Sequence, residues 1–224
     1  MSLPRFAAMP PAVGEVFRTL WQEIQNIHLT WMVNRQLFGT SPERIALLNR
    51  FGGVAFGLYQ RLLTRHVVLA IFRLIDPATQ RGGRDLNHCL ERLADEVTAD
   101  SSSCGANLTP LLAEIRGLMA PHADLRNKVA AHNDFHTLPT LYDGTSTVAT
   151  PSRELIETVL GRIRTFMNIV QRHYGEGESH YYDSEMPEHG DGETLIESLN
   201  ELAMRIDTDP EPRWQQRQKY RRRI

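Results

Sequence analysis

The chemistry-bearing residues of this chain concentrate in one run, Leu125-Arg126-Asn127-Lys128-Val129-Ala130-Ala131-His132-Asn133-Asp134. Leu125, Val129 and His132 are spaced i, i+4 and i+7, so on a helix His132 points where a core residue belongs. Arg126 lies on the margin of that stripe. The six-residue step from Arg126 to His132 turns them about 120° apart on an ideal helix, so one straight helix does not stack them. A bend at the helix end, or a second copy across a two-fold axis, could bring both to one substrate. A neutral imidazole can take the proton of a ribose 2′-hydroxyl, and an imidazolium can return one to a leaving 5′-oxygen. A guanidinium fork can clamp a phosphate and stabilise the charge that grows on its oxygens. Together they suffice for RNA cleavage without a metal. In that reading Asn127 holds the phosphate or orients His132, and Lys128 adds long-range attraction. The same residue types also serve plain structural ends, a histidine capping helix carbonyls and an arginine snorkelling at a core margin.

The elements that must position this run read as helices. Val13, Phe17, Leu20, Ile24, Ile27, Trp31 and Phe38 recur at steps of three and four, broken only by Asn34 and stopped by Gly39. A second helix starts at Ser41-Pro42 and ends at Asp76-Pro77, since proline disfavours helix in the residue before it. Its stripe reads Leu48, Phe51, Ala55, Leu58, Leu62, Arg65, Leu69, Phe72, with Gly52, Gly53 and Gly57 as points of bending. A shorter helix is expected from Asp85 to Thr98, burying Leu86, Cys89, Leu90, Leu93 and Val97. The serines between Ala99 and Ala106 predict a loop. Thr109-Pro110 predicts the next helix start, with Leu111, Leu112, Ile115, Leu118 and Met119 inside and a break at Pro121. A loop is expected from Thr137 to Thr150. Thr150-Pro151 then opens a helix with Leu155, Val159, Leu160, Ile163, Phe166, Met167 and Val170 inside, and Gly175 closes it. The pattern predicts an all-α fold, an antiparallel bundle of four or five helices.

Beyond residue 175 the composition changes. Glu176 to Glu193 holds seven carboxylates and no Lys or Arg, which predicts an acidic loop. A short helix over Glu193 to Ile206 is expected next. The last twelve residues, Arg213 to Ile224, hold six basic side chains and no acidic one, a flexible C-terminal extension. The expected division is residues 1–11 as an N-terminal segment, 12–175 as the bundle, 176–192 as the acidic loop, and 193–224 as short helix and tail.

At 224 residues, 41% hydrophobic and 23% charged, the chain can bury a sizeable core. No apolar run reaches the roughly 18–20 residues of a membrane span, and no hydrophobic stretch near the start reads as a secretory signal. Two cysteines, Cys89 and Cys104, leave no disulfide framework and no cysteine-based zinc site. A reducing cytoplasm is the expected location. Net charge of −2 excludes a protein coated in positive charge, so any nucleic-acid chemistry must sit in a local patch.

Arg126-Asn127 followed by His132, with five residues between arginine and histidine, resembles the motif of the HEPN superfamily. Ala131-His132-Asn133-Asp134 around it is similar to the abortive-infection, AbiU-like branch. So is Phe72-Arg73-Leu74-Ile75-Asp76-Pro77-Ala78, with Asp85-Leu86-Asn87 opening the next helix. The likeness covers roughly residues 12 to 174. It implies a helical bundle that forms a homodimer, with Arg126 and His132 of both copies lining a shared cleft and Asn127 assisting. It implies a metal-independent endoribonuclease acting on RNA in toxin–antitoxin or phage-defence systems, without a cofactor and with a neutralising antitoxin as partner. Some such toxins carry a tyrosine two residues after the histidine, where a partner nucleotidyltransferase acts. Asp134 stands there, so that route of neutralisation is not expected. Other members of the superfamily have lost catalysis and only bind ligands or partners.

Three further features have residue types that bear on function. Arg65, beside His66, interrupts the second stripe and either contacts phosphate in the same cleft or snorkels as a structural cation. His132, Asp134 and His136 have residue types that ligate metal, but Asn133-Asp134 predicts a helix exit that destroys the spacing, so no metal is expected. The tail, with Trp214 and Tyr220 among its basic residues, could track RNA or simply solubilise the chain.

Overall fold

The structure is a computed structural model and describes residues 6–80, 85–126, 149–175, 177 and 191–208. It is an all-α bundle with one very short strand pair among the described residues. The main helices are α1 (Pro11–Phe38), α2 (Pro42–Ile75), α3 (Leu90–Asp100), α4 (Ser102–Met119), α5 (Arg153–His173) and α6 (Gly192–Thr208).

The chain divides into two compact units, one of residues 1–31 and 63–184, the other of residues 32–62 and 185–224. In the larger unit, α1 buries Val13, Phe17, Leu20, Ile24, Ile27 and Trp31, as its spacing predicts. These pack in one apolar core with the second half of α2 and with α3, α4 and α5. The Trp31 indole donates to the Glu157 carboxylate of α5 at 2.8 Å, so its polar edge is satisfied where its ring is buried. In the smaller unit, Leu37 and Leu48 pack with Ile196 of α6. Arg44 grips Glu193 with both terminal nitrogens at 2.8 and 2.7 Å, and Arg50 holds Asp207 at the other end of α6 in the same two-pronged way.

The start of α2 follows the sequence: Ser41 accepts from the Arg44 N–H at 3.3 Å, and Pro42 is the first helical residue. Gly52 has φ −174° and ψ 55°, a real break where glycines predicted bending. The stripe beyond it is corrected. Val67, Ile71 and Leu74 are buried, whereas Leu58 and Leu62 are half exposed and Arg65 is exposed. Phe72 is buried as expected, but Leu62 and Ile71 are nine residues apart, about half a turn from each other, so Leu58, Leu62 and Arg65 lie away from the buried face. Val67 to Phe72 is apolar on every face, and periodicity there cannot choose a side.

Two boundaries are also corrected. Asp85-Leu86 does not open α3; it pairs antiparallel with Thr79-Gln80, and Leu86 is exposed. The α3 helix begins at Leu90 with the Cys89 thiol as its cap. The expected serine loop is reduced to Ser101 alone, which ends α3 and precedes α4. Pro110 lies inside α4 rather than at its start.

The α5 helix starts from Ser152, whose hydroxyl accepts from Leu155 N–H at 3.2 Å, and Gly175 follows its end with φ +72°. Its buried face takes Ile156 in place of the expected Leu155. The expected loop of residues 137–150 lies outside the described residues except for its last two positions. The acidic segment lies almost wholly outside them, and the basic tail wholly so.

Candidate functional site

Asp76 precedes Pro77, so helix α2 must end there and the chain must turn. The ending is held on almost every backbone group. Arg116, from the last turn of α4, donates Nε to the Ile75 carbonyl at 3.0 Å and Nη2 to the Asp76 carbonyl at 3.4 Å. A cation at these orphan carbonyls also complements the negative end of the α2 dipole. The Asn87 side chain donates to the Pro77 carbonyl at 2.7 Å, and its backbone N–H to the Ala78 carbonyl at 3.0 Å.

Glu91 ties the arrangement together. One carboxylate oxygen accepts from Arg116 Nη1 at 2.9 Å, the other from the Ala78 N–H at 2.6 Å. Arg116 first, and the Ala78 N–H second, hold its carboxyl below the usual glutamate range. Glu91 also sits in the first turn of α3, where a negative charge is favoured.

Onto this fixed corner comes Arg126. The chain leaves α4 at Met119, passes a 3-10 turn over Ala120–His122, and continues helically to Arg126, anchored by buried Leu125. Arg126 Nη1 donates to Asp76 Oδ1, and its guanidinium carbon lies 5.7 Å from the centroid of the Phe72 ring. The Arg126 side chain is 40% exposed and that of Asp76 19%. The guanidinium is therefore held from the protein side on a side chain that is only partly buried. His122 Nδ1 lies 2.9 Å from the Ala149 carbonyl, joining the chain just before Arg126 to the point where the described structure resumes.

Of the residues expected at the site, Arg126 is thus described and engaged. Asn127, Lys128 and His132 lie outside the described residues, as do Asp134 and His136. Arg65 lies on the exposed side of α2, eleven residues before Asp76, about 16 Å along the axis. Among the described residues, no cluster of three His, Cys, Asp or Glu side chains could hold a metal ion, and no helix is long and apolar enough to cross a membrane.

The segment from Phe72 to Ala78 carries part of the family likeness, but its residue types alone announce no role at the site. Its partner arginines, Arg116 and Arg126, lie forty or more residues away, and no local spacing announces them. Comparison with known proteins brings the two segments together again. The sequence matches the family described as AbiU2 (HEPN_AbiU2) across residues 11–195, a span that contains both. No curated protein and no solved structure matches the chain.

Proposed function

This chain belongs to the AbiU2 family of the HEPN superfamily, and on that premise we propose that it is a metal-independent endoribonuclease of toxin or phage-defence type. The observation that carries the reading is Arg126, the arginine of the family motif, held by Asp76 and Phe72 on a side chain that stays 40% exposed. In the proposed reaction His132 takes the proton of a ribose 2′-hydroxyl. The 2′-oxygen attacks the adjacent phosphorus, and Arg126 stabilises the phosphorane oxygens. The 5′-oxygen leaves with a proton returned by an imidazolium, giving a 2′,3′-cyclic phosphate. Asn127 and Lys128 assist at the phosphate, and Arg65 is a second candidate contact. The partners are RNA, a second copy of the chain, and an antitoxin in the cytoplasm.

An exposed apolar stripe supports the second copy. Val54, Leu58 and Leu62 are spaced i, i+4 and i+8 on α2 and are 90%, 50% and 53% exposed, with Tyr59 beside them. A water-facing stripe of this kind is the sort of surface that a partner covers.

The test is cleavage of RNA by purified protein in EDTA. Wild type is expected to cut and to leave cyclic phosphate ends, while Arg126→Ala and His132→Ala lose about a hundredfold or more in rate. Cleavage that requires a divalent cation, or that persists in both variants, overturns the mechanism. A second reading, a non-catalytic module that binds nucleotide, RNA or a partner protein, is favoured by the ion pair itself, which gives Arg126 structural employment. It predicts RNA binding without turnover, and equal growth of cells expressing wild type or His132→Ala.

A further inference from the structure

We propose that Asp76 is a positioning residue for Arg126, fixed in turn by Arg116, Glu91 and Asn87. The proposal rests on the endoribonuclease reading for its kinetic consequence, but the geometry behind it is independent of that reading. An arginine side chain on a partly exposed position has several rotatable bonds, and a phosphate clamp needs its fork aimed before substrate arrives. Asp76 supplies the aim by receiving Nη1, and Phe72 supplies a surface beneath the guanidinium.

The aim is only as good as the mount. A lone aspartate at a helix end would itself wander. Here the carbonyls of residues 75 to 78 are all accepting hydrogen bonds, and the Ala78 N–H is donating one. Arg116 and Glu91 share one hydrogen bond and each also grips this corner, so three separate elements, α2, α3 and α4, converge on the backbone that carries the Asp76 carboxylate. Glu91 and Arg116 touch the corner from behind and act through Asp76.

The experiment compares full-length wild type with Asp76→Asn, Asp76→Glu and Glu91→Gln by two readouts. The first is kcat and KM for cleavage of a short RNA in EDTA. The second, without RNA, is the nitrogen-15 relaxation of the Arg126 Nε–H group, assigned by its loss in Arg126→Lys. Asp76→Asn is expected to lower kcat about 10- to 100-fold, with KM changed less than about threefold. Asp76→Glu, which keeps the charge, recovers part of that loss. Glu91→Gln gives a smaller loss in the same direction. The Arg126 Nε–H group is expected to be as ordered as backbone in wild type and mobile in Asp76→Asn. Unchanged kcat in Asp76→Asn, or a gain in kcat or RNA affinity, overturns the proposal. Should wild type cut no RNA, the endoribonuclease reading falls, and the relaxation measurement alone decides this proposal. Equal Arg126 mobility in wild type and Asp76→Asn then overturns it.

Discussion

His28 has no exposed surface and lies on α1 within the larger unit's core. Burial first, and the positive charge of Arg164 second, push its pKa down to about 3. The sign follows directly. Below about pH 6.5 the unfolded chain binds a proton at His28 that the folded chain refuses until about pH 3, so stability is complete above 6.5 and falls as pH drops. The slope is about 1.4 kcal/mol per pH unit, or about 2 kcal/mol lost by pH 5. Urea denaturation at pH 7.5 and pH 5 is expected to show a clearly smaller loss in His28→Leu than in wild type. Equal losses in the two proteins would remove His28 as the cause. The sequence puts a histidine among apolar residues in both α1 and the Arg126–His132 run, and type alone does not separate a core histidine from a reactive one. Arg126 stands out in the sequence as a candidate because a guanidinium six residues from an imidazole has obvious chemistry. Asp76 does not, because its role depends on a partner fifty residues away.

Helices were legible where caps and stripes agreed. Ser41-Pro42 at α2, the stripe of α1 and Gly175 after α5 each state a boundary or a face in local terms. The α3–α4 junction shows where local terms fail. Three serines in a row suggest a loop, yet α3 and α4 are separated by Ser101 alone and pack along their lengths. Gly105 permits this approach: a Cβ there would stand 2.1 Å from Thr98 Oγ1 and 2.9 Å from Thr98 Cα. Backbone cannot yield as a flexible side chain can. Gly105→Ala is therefore expected to destabilise the protein by about 1–3 kcal/mol, read as a lower urea midpoint at unchanged slope. An unchanged midpoint would mean that the two helices separate at little cost. Pro110, which by sequence predicts a helix start, shows the same override, since buried Cys104 and Leu108 lie in the helical turns before it.

For the whole molecule, the consequence of the uncovered α2 stripe is measurable as mass. Wild type is expected to sediment as a dimer at micromolar concentration, and Leu58→Asp with Leu62→Asp as a monomer that keeps its helical circular dichroism. A wild-type monomer, or a charged variant that still dimerises, removes that face as the interface. Among the described residues the all-α class was legible because periodicity repeats in every long helix. The buried face of α2 was not, because that helix is apolar all round where the core begins to cover it. The pairing of Asp76 with Arg126 also bears on how nucleic acid would be gathered. A guanidinium that travels with its own carboxylate is nearly neutral as a unit, so a phosphate docking against it sheds few counterions. Plots of log affinity against log salt for wild type and for the double variant Arg126→Ala with Asp76→Ala, which removes the neutral unit whole, should run almost parallel. Gathering RNA from solution and setting it in register would then be separate tasks, performed by different cations.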